Sequence, residues 1–234
     1  AYFLSSDDHT SPSRIDPTQQ YDYSPKYLGI GSRGMLIPDL TYRAELVGEW
    51  GSTFSESNLL FTRRGPVFQN PRDRICAMAA NLQMEYLFRV PTEPRVSVEY
   101  LYASGDPDRR TSSSATVGGN LMGTRDRAFN AFGFRDTGIA FAPFLSNIHI
   151  YTAGVRFFPL EHYDLFKKLE VGTKVFFYHK DRVGGPISDP TVIRDSRWLG
   201  WEWDIYFNWR ITSDLAVTTR YGMPDGLPVI SMNQ

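Results

Sequence analysis

Glu202 and Asp204 stand two residues apart in the run Trp201-Glu202-Trp203-Asp204-Ile205-Tyr206-Phe207-Asn208-Trp209-Arg210. In an extended chain that spacing points both carboxylates to one side. They could form an acid pair, but beside Arg210 the simpler reading is a charged wall. The other chemical motifs are weaker. Gly29-Ile30-Gly31-Ser32-Arg33-Gly34 matches the dinucleotide-binding pattern, which needs a helix to follow it. Met35-Leu36-Ile37-Pro38 follows instead, so the segment reads as a glycine-rich turn. His9, His149, His162 and His179 are far apart and show no metal-ligand spacing. Asp7-Asp8-His9 lies in a Ser/Pro/Asp-rich start and reads as solvated. Asp106 and Asp108, beside Arg109 and Arg110, open a long polar stretch. A divalent ion or lipopolysaccharide is one reading there, a solvated loop the preferred one. No serine and histidine have a spacing that marks a hydrolase. No catalytic residue, metal or cofactor is expected, and the chain does not read as an enzyme.

Composition narrows the classes further. Lys+Arg number 25 against 26 Asp+Glu, a net charge of −1, which argues against a basic nucleic-acid surface. Aromatic residues make up 15% of the 234 residues. No apolar run is long enough for a transmembrane helix. The lone Cys76 excludes an internal disulfide framework and reads as a small buried or lipid-facing residue. The start at Ala1 reads as a processed or partial chain.

The elements that position the charges are strands, recognised by period-2 alternation. In 41–53, Tyr42, Ala44, Leu46 and Trp50 oppose Arg43, Glu45 and Glu49. In 81–90, Leu82, Met84, Tyr86 and Phe88 oppose Glu85 and Arg89. In 95–104, Val96, Val98, Tyr100 and Tyr102 oppose Arg95 and Glu99. In 149–158, Tyr151, Ala153, Val155 and Phe157 oppose Arg156. In 167–180, Leu169, Val171, Val175 and Phe177 oppose Glu170 and Lys174. In 201–210, Trp201, Trp203 and Trp209 oppose Glu202, Asp204 and Arg210. In 213–222, Val217, Thr219 and Tyr221 oppose Arg220. A weaker strand lies at 26–33, so the chain reads as all-β with about eight strands.

Connection lengths alternate. Tight turns fall at 91–94 and 212–214, and long polar stretches at 54–73, 105–146 and 181–198. All short turns then sit at one end of the sheet and all long loops at the other, the pattern of an antiparallel transmembrane barrel. Strands of about ten residues suit a tilted span. Tyr42, Trp50, Tyr100, Tyr102, Tyr151, Trp201, Trp203, Trp209 and Tyr221 are expected on the lipid-facing and interfacial side. The charged side chains of the opposite face are expected to line a lumen. One barrel domain over 1–234 is expected, with 1–25 irregular and 105–146 a long extracellular loop that folds into the mouth as a constriction. Both ends read as truncated, as in part of a larger barrel.

Two segments carry a family resemblance. Val117-Gly118-Gly119-Asn120 through Phe129-Asn130-Ala131-Phe132-Gly133-Phe134-Arg135-Asp136 to Asn147 is one. Leu199 through Tyr221-Gly222 is the other. Both resemble the alginate-export type of bacterial outer-membrane barrel, over roughly the second half of the chain. The resemblance implies a monomeric barrel in the outer membrane of a Gram-negative bacterium. It would pass a hydrophilic solute, such as an anionic polysaccharide. Its expected partners are outer-membrane lipid, lipopolysaccharide, that solute, and a partner subunit in the lumen or periplasm; nucleic acid is not among them. The alternatives are a structural barrel sheathing a partner such as an electron carrier, and a soluble β-sandwich binding module.

Overall fold

The computed structural model describes residues 1–9, 22–55, 58–62, 65–69, 71–109, 120–188 and 196–226. It is all-β: β1 (Tyr2–Ser5), β2 (Asp8–His9), β3 (Asp22–Ile37), β4 (Leu40–Phe54), β5 (Asn58–Thr62), β6 (Gly65–Gln69), β7 (Arg72–Leu87), β8 (Arg95–Ala103), β9 (Arg125–Asp126), β10 (Ile148–Phe157), β11 (Leu169–Lys180), β12 (Trp198–Arg210) and β13 (Ala216–Asp225). The long strands follow one another in the order β3-β4-β7-β8-β10-β11-β12-β13, an antiparallel meander with β1 on its first edge. β2 also pairs with β3, β9 runs parallel to β7, and β5 and β6 form a separate hairpin. The sheet is open from β1 to β13 among the described residues.

The segregation of turns holds. Residues 38–39, 88–94, 158–168 and 211–215 connect strands at one end, and 55–71, 104–147 and 181–197 at the other. The tightest turn is Pro38-Asp39, where Asp39 takes a φ of 68°. Aspartate tolerates this left-handed conformation because its short polar side chain bonds locally. Arg89 Nε reaches Asp39 Oδ2 at 2.7 Å and ties two of these turns together.

Several boundaries differ from the alternation pattern. β7 starts at Arg72, well before 81, because Ala77, Ala79 and Ala80 are too small to register as an apolar face. Within 1–25, expected to be irregular, the described residues hold β1, β2 and the start of β3; 10–21 lie outside the described residues. Tyr23, Pro25 and Tyr27 share one face there, but Pro25 masked the strand signal. Gly29 to Gly34 is strand, not turn, and no helix follows. Gly29 is needed because the Tyr2 ring lies over it; an added Cβ would come within 2.1 Å of that ring. β13 starts at Ala216 because Thr212 Oγ1 accepts from the backbone of Leu215 at 3.0 Å and holds 212–215 as a turn.

The two faces of the meander differ. One face is bare and carries Leu28, Leu46, Leu82, Val98, Trp203 and Phe207, all among the exposed large apolar residues. Cys76 is exposed on this face too. The other face is covered. Near the long-loop end it carries an apolar cluster of Ala77, Ala79, Leu101, Ile148, Ile150 and Phe176 with Phe129 and Ile187 from the loops, flanked by the buried Glu49, Lys180 and Glu202. Toward the short turns it becomes charged. Uniform alternation had hidden this division of the polar face along its length.

Candidate functional site

The loop between β8 and β10 supplies the cover. Phe129 N and Asn147 N both donate to Ser104 O, at 2.9 and 3.2 Å. Residues 129–147 thus form a closed excursion, a strap that leaves and returns at one point and lies across the covered face. Its near end is fixed by β4. Glu49 Oε2 accepts from Asn130 N at 2.9 Å, and the Tyr27 hydroxyl donates to Asn130 O at 2.9 Å. The Tyr23 hydroxyl also donates to Glu49. Arg135 Nη2 reaches Glu45 Oε2 at 2.6 Å.

The far end is fixed by β12. Glu202 is fully buried and accepts three successive backbone amides, Ile139 and Ala140 at 2.6 Å and Phe141 at 2.9 Å. Three amides converging on one carboxylate form an anion nest. The Tyr178 hydroxyl lies 2.8 Å from Thr137 O and 3.1 Å from Glu202 Oε2. Phe141 packs edge-on against the Tyr178 ring at 4.9 Å. Lys174 pairs with Asp136. Gly138 makes the approach feasible: its φ is 107°, and a Cβ there would sit 2.4 Å from the Tyr178 hydroxyl. Asp204 is buried beside Glu202 with Oδ1 unpartnered.

The loop is braced from within. Asp106 Oδ2 accepts from Asn120 Nδ2 at 2.8 Å and Arg127 N at 2.7 Å. Arg109 pairs with Asp126, and both are buried. Burial pushes the Asp126 carboxyl above its usual range, while the Arg109 guanidinium pulls it back down. The solvated-loop reading of Asp106 and Arg109 is therefore corrected: both are internal struts. Arg110 lies outside the described residues. Asn147, fully buried, joins this loop to the next: its Nδ2 donates to Arg182 O, Gly185 O and Pro186 O at 2.9 to 3.0 Å, and its Oδ1 accepts from Arg182 N at 2.7 Å.

Below the strap the covered face is a ladder of alternating charge. Arg156 Nη2 lies 3.0 Å from both oxygens of Glu85, and its Nη1 3.3 Å from Glu170 Oε2. Arg95 Nη1 approaches Glu85 at 3.5 Å, and Asn208 Nδ2 donates to Glu170 at 3.2 Å. Arg33 and Arg43 stand opposite each other in register. They line a cavity of about 560 Å³ with Gln83, Glu85 and Arg156. A smaller one of about 150 Å³ lies among Asp136, Glu170, Lys174, Asp204 and Arg220.

Of the charged candidates, Arg43, Glu45, Glu49, Glu85, Glu99, Arg156, Lys174, Glu202, Asp204, Arg210 and Arg220 lie on this face by register. Arg210 closes β12 and donates to Ser213 O at 3.0 Å. Arg89 does not belong to the set: β7 ends at Leu87, so Arg89 sits in the turn with Asp39. The aromatic candidates Tyr42, Trp50, Tyr100, Tyr102, Tyr151, Trp201, Trp203, Trp209 and Tyr221 lie on the bare face. Trp203 and Tyr221 fall near strand centres rather than at strand ends. Arg135 and Asp136 were missed because a strap without periodicity gives no pattern. His149 and His179, remote in sequence, are opposite in register, since β10 and β11 are antiparallel neighbours.

The family model described as alginate export matches residues 1–225, which span the whole meander. The chain belongs to the alginate export family. That match extends into the first half of the chain, beyond the two segments that carry the resemblance. The alginate export family is a family of outer-membrane β-barrel porins that transport rather than catalyse. No curated protein matches the chain.

Proposed function

We propose that the chain is a wall of an outer-membrane porin or exporter, in a Gram-negative envelope, that passes hydrophilic solutes including anionic polysaccharide. The observation that carries this reading is the bare face. It exposes large apolar side chains on every long strand, a continuous apolar surface of the kind that marks a membrane or partner contact. In lipid that face is satisfied, and the covered face becomes the lumen wall.

The lumen would work by size and charge. The strap narrows the passage, and the ladder through Arg95, Glu85, Arg156 and Glu170 sets both signs close together, so that a charged solute is held weakly enough to leave. The strap also exposes Phe134 and Phe144 beside Arg220 around a cavity of about 590 Å³. Exposed rings next to a guanidinium suit a sugar ring that carries a carboxylate.

Incorporation of the intact protein into a planar lipid bilayer tests this. Discrete conductance steps are expected, with current blocked by uronate oligomers at lower concentration than by neutral dextrins. Absence of conductance would overturn the reading. So would extraction of the protein from envelopes without detergent.

A further inference from the structure

The bare face carries one feature that a lipid-facing wall does not require. Register places Leu82, Tyr100, Tyr151 and Phe177 in one row across β7, β8, β10 and β11. The next row toward the short turns is Met84, Val98, Ala153 and Val175. Ala153 is the small member of these rows, and a groove of about 340 Å³ opens over it. The Tyr100 and Tyr151 rings stack at 4.9 Å along its upper edge.

The row toward the long loops is of different chemistry: Tyr102, His149 and His179 lie side by side. His149 Nδ1 is 2.8 Å from the Tyr100 hydroxyl, and its Nε2 is 3.6 Å from Asp181 Oδ1. His179 Nδ1 is buried without a hydrogen-bond partner, beneath the edge-on Trp198 ring at 4.9 Å. Just beyond this row are Arg182, whose side chain is 55% exposed, and the exposed Arg197. The Asp181 carboxylate is already engaged, since it accepts from Gly105 N at 2.9 Å and faces Arg182.

An apolar groove that ends in ring nitrogens and guanidinium groups has the polarity of one lipid molecule. We propose that this is a binding site for a single phosphorylated, acylated glycolipid of the outer leaflet. One acyl chain lies in the groove over Ala153, and a phosphate meets His149, His179 and Arg182. This rests on the membrane reading above. Interfacial rings set the depth, and the cationic rim supplies the selectivity that bulk lipid contact lacks. The site would also fix the meander's orientation, since the rim lies at the long-loop end.

Native mass spectrometry of the intact protein in detergent, titrated with purified lipid A, with its dephosphorylated form and with phosphatidylethanolamine, tests the proposal. One lipid A per chain is expected, with the other two lipids bound more weakly. Ala153→Trp should abolish the complex. Arg182→Gln should weaken it about fivefold, the effect of one basic residue at a membrane surface. His179→Gln with Arg182→Gln should weaken it further, which keeps the test open if the Trp variant fails to assemble. Equal binding of all three lipids, or undiminished binding by the rim variants, overturns the site. Conductance is measured on the same samples: conducting protein without selective lipid binding removes the site and leaves the pore, whereas silent protein removes the pore.

Discussion

Single residues decide how the strap is held, and Glu202 is the most heavily used. Its position on the charged face is readable from the alternation with Trp201 and Trp203. Its task is not, because its partners are the amides of Ile139, Ala140 and Phe141, and main-chain donors leave no trace in a sequence. Hydrogen bonds to a charged group contribute about 1.5–3 kcal/mol each. Glu202→Gln replaces them with weaker neutral ones and turns an amide donor toward an amide donor. The strap should then come free at that end, and the single-channel current should flicker between two levels where the parent protein holds one. Asn147 is a second such residue. Asn147→Ala removes the side-chain donor of Pro186 O and the acceptor of Arg182 N, and leaves Arg182 O to Gly185 N and Gly185 O to Lys180 Nζ. A loss of about 2–3 kcal/mol of stability is expected, read by thermal unfolding in detergent. Neither residue resembles a motif, and only the folded chain shows why each is irreplaceable.

At the scale of elements, seven of the long strands were legible because each alternates rings and aliphatic groups with polar or charged residues, whereas β3 showed only as a weaker strand at 26–33. The first half of β7 was not legible, since its alanines carry almost no hydropathic contrast. Those alanines have a structural consequence. Small side chains at Ala77 and Ala79 leave room for Phe129, so the same positions that blur the strand admit the strap. That the long loop folds inward was expected, but its route across the covered face was not, because 129–147 has neither strand nor helix periodicity. The route follows from its closure on Ser104 O and from Gly138 at a φ of 107°. Two changes probe the element. Replacing 131–144 with a short Gly-Ser linker keeps both ends at Ser104, so the sheet should assemble and conductance should rise severalfold. Gly138→Val introduces a Cβ against Tyr178 and Glu202 in a conformation that β-branched residues avoid, and should give the same rise with the loop still present. A deletion that leaves conductance unchanged would show that the strap does not limit flow.

For the molecule as a whole, the question is which face meets lipid. Alternation alone fits a soluble sandwich and a barrel equally, since both put apolar residues on one side and charges on the other. The strap breaks that symmetry, because it packs on the charged face and leaves the aromatic face bare. A soluble protein would cover the reverse side. Substitution at matched positions separates the two. Val98 sits mid-strand on the bare face, and Glu99, its neighbour, on the covered one. If the bare face lies in hydrocarbon, Val98→Arg should cost about 2–4 kcal/mol near the bilayer midplane, while Glu99→Arg should cost little and change ion selectivity instead. Urea unfolding in lipid vesicles measures the first, and reversal potentials in asymmetric salt measure the second. In a soluble sandwich the ranking would not depend on lipid at all, so repeating the unfolding in bilayers of different thickness adds a control. The Val98→Arg penalty should grow in thicker bilayers, where the charge lies deeper, and a penalty independent of thickness would place that face in water.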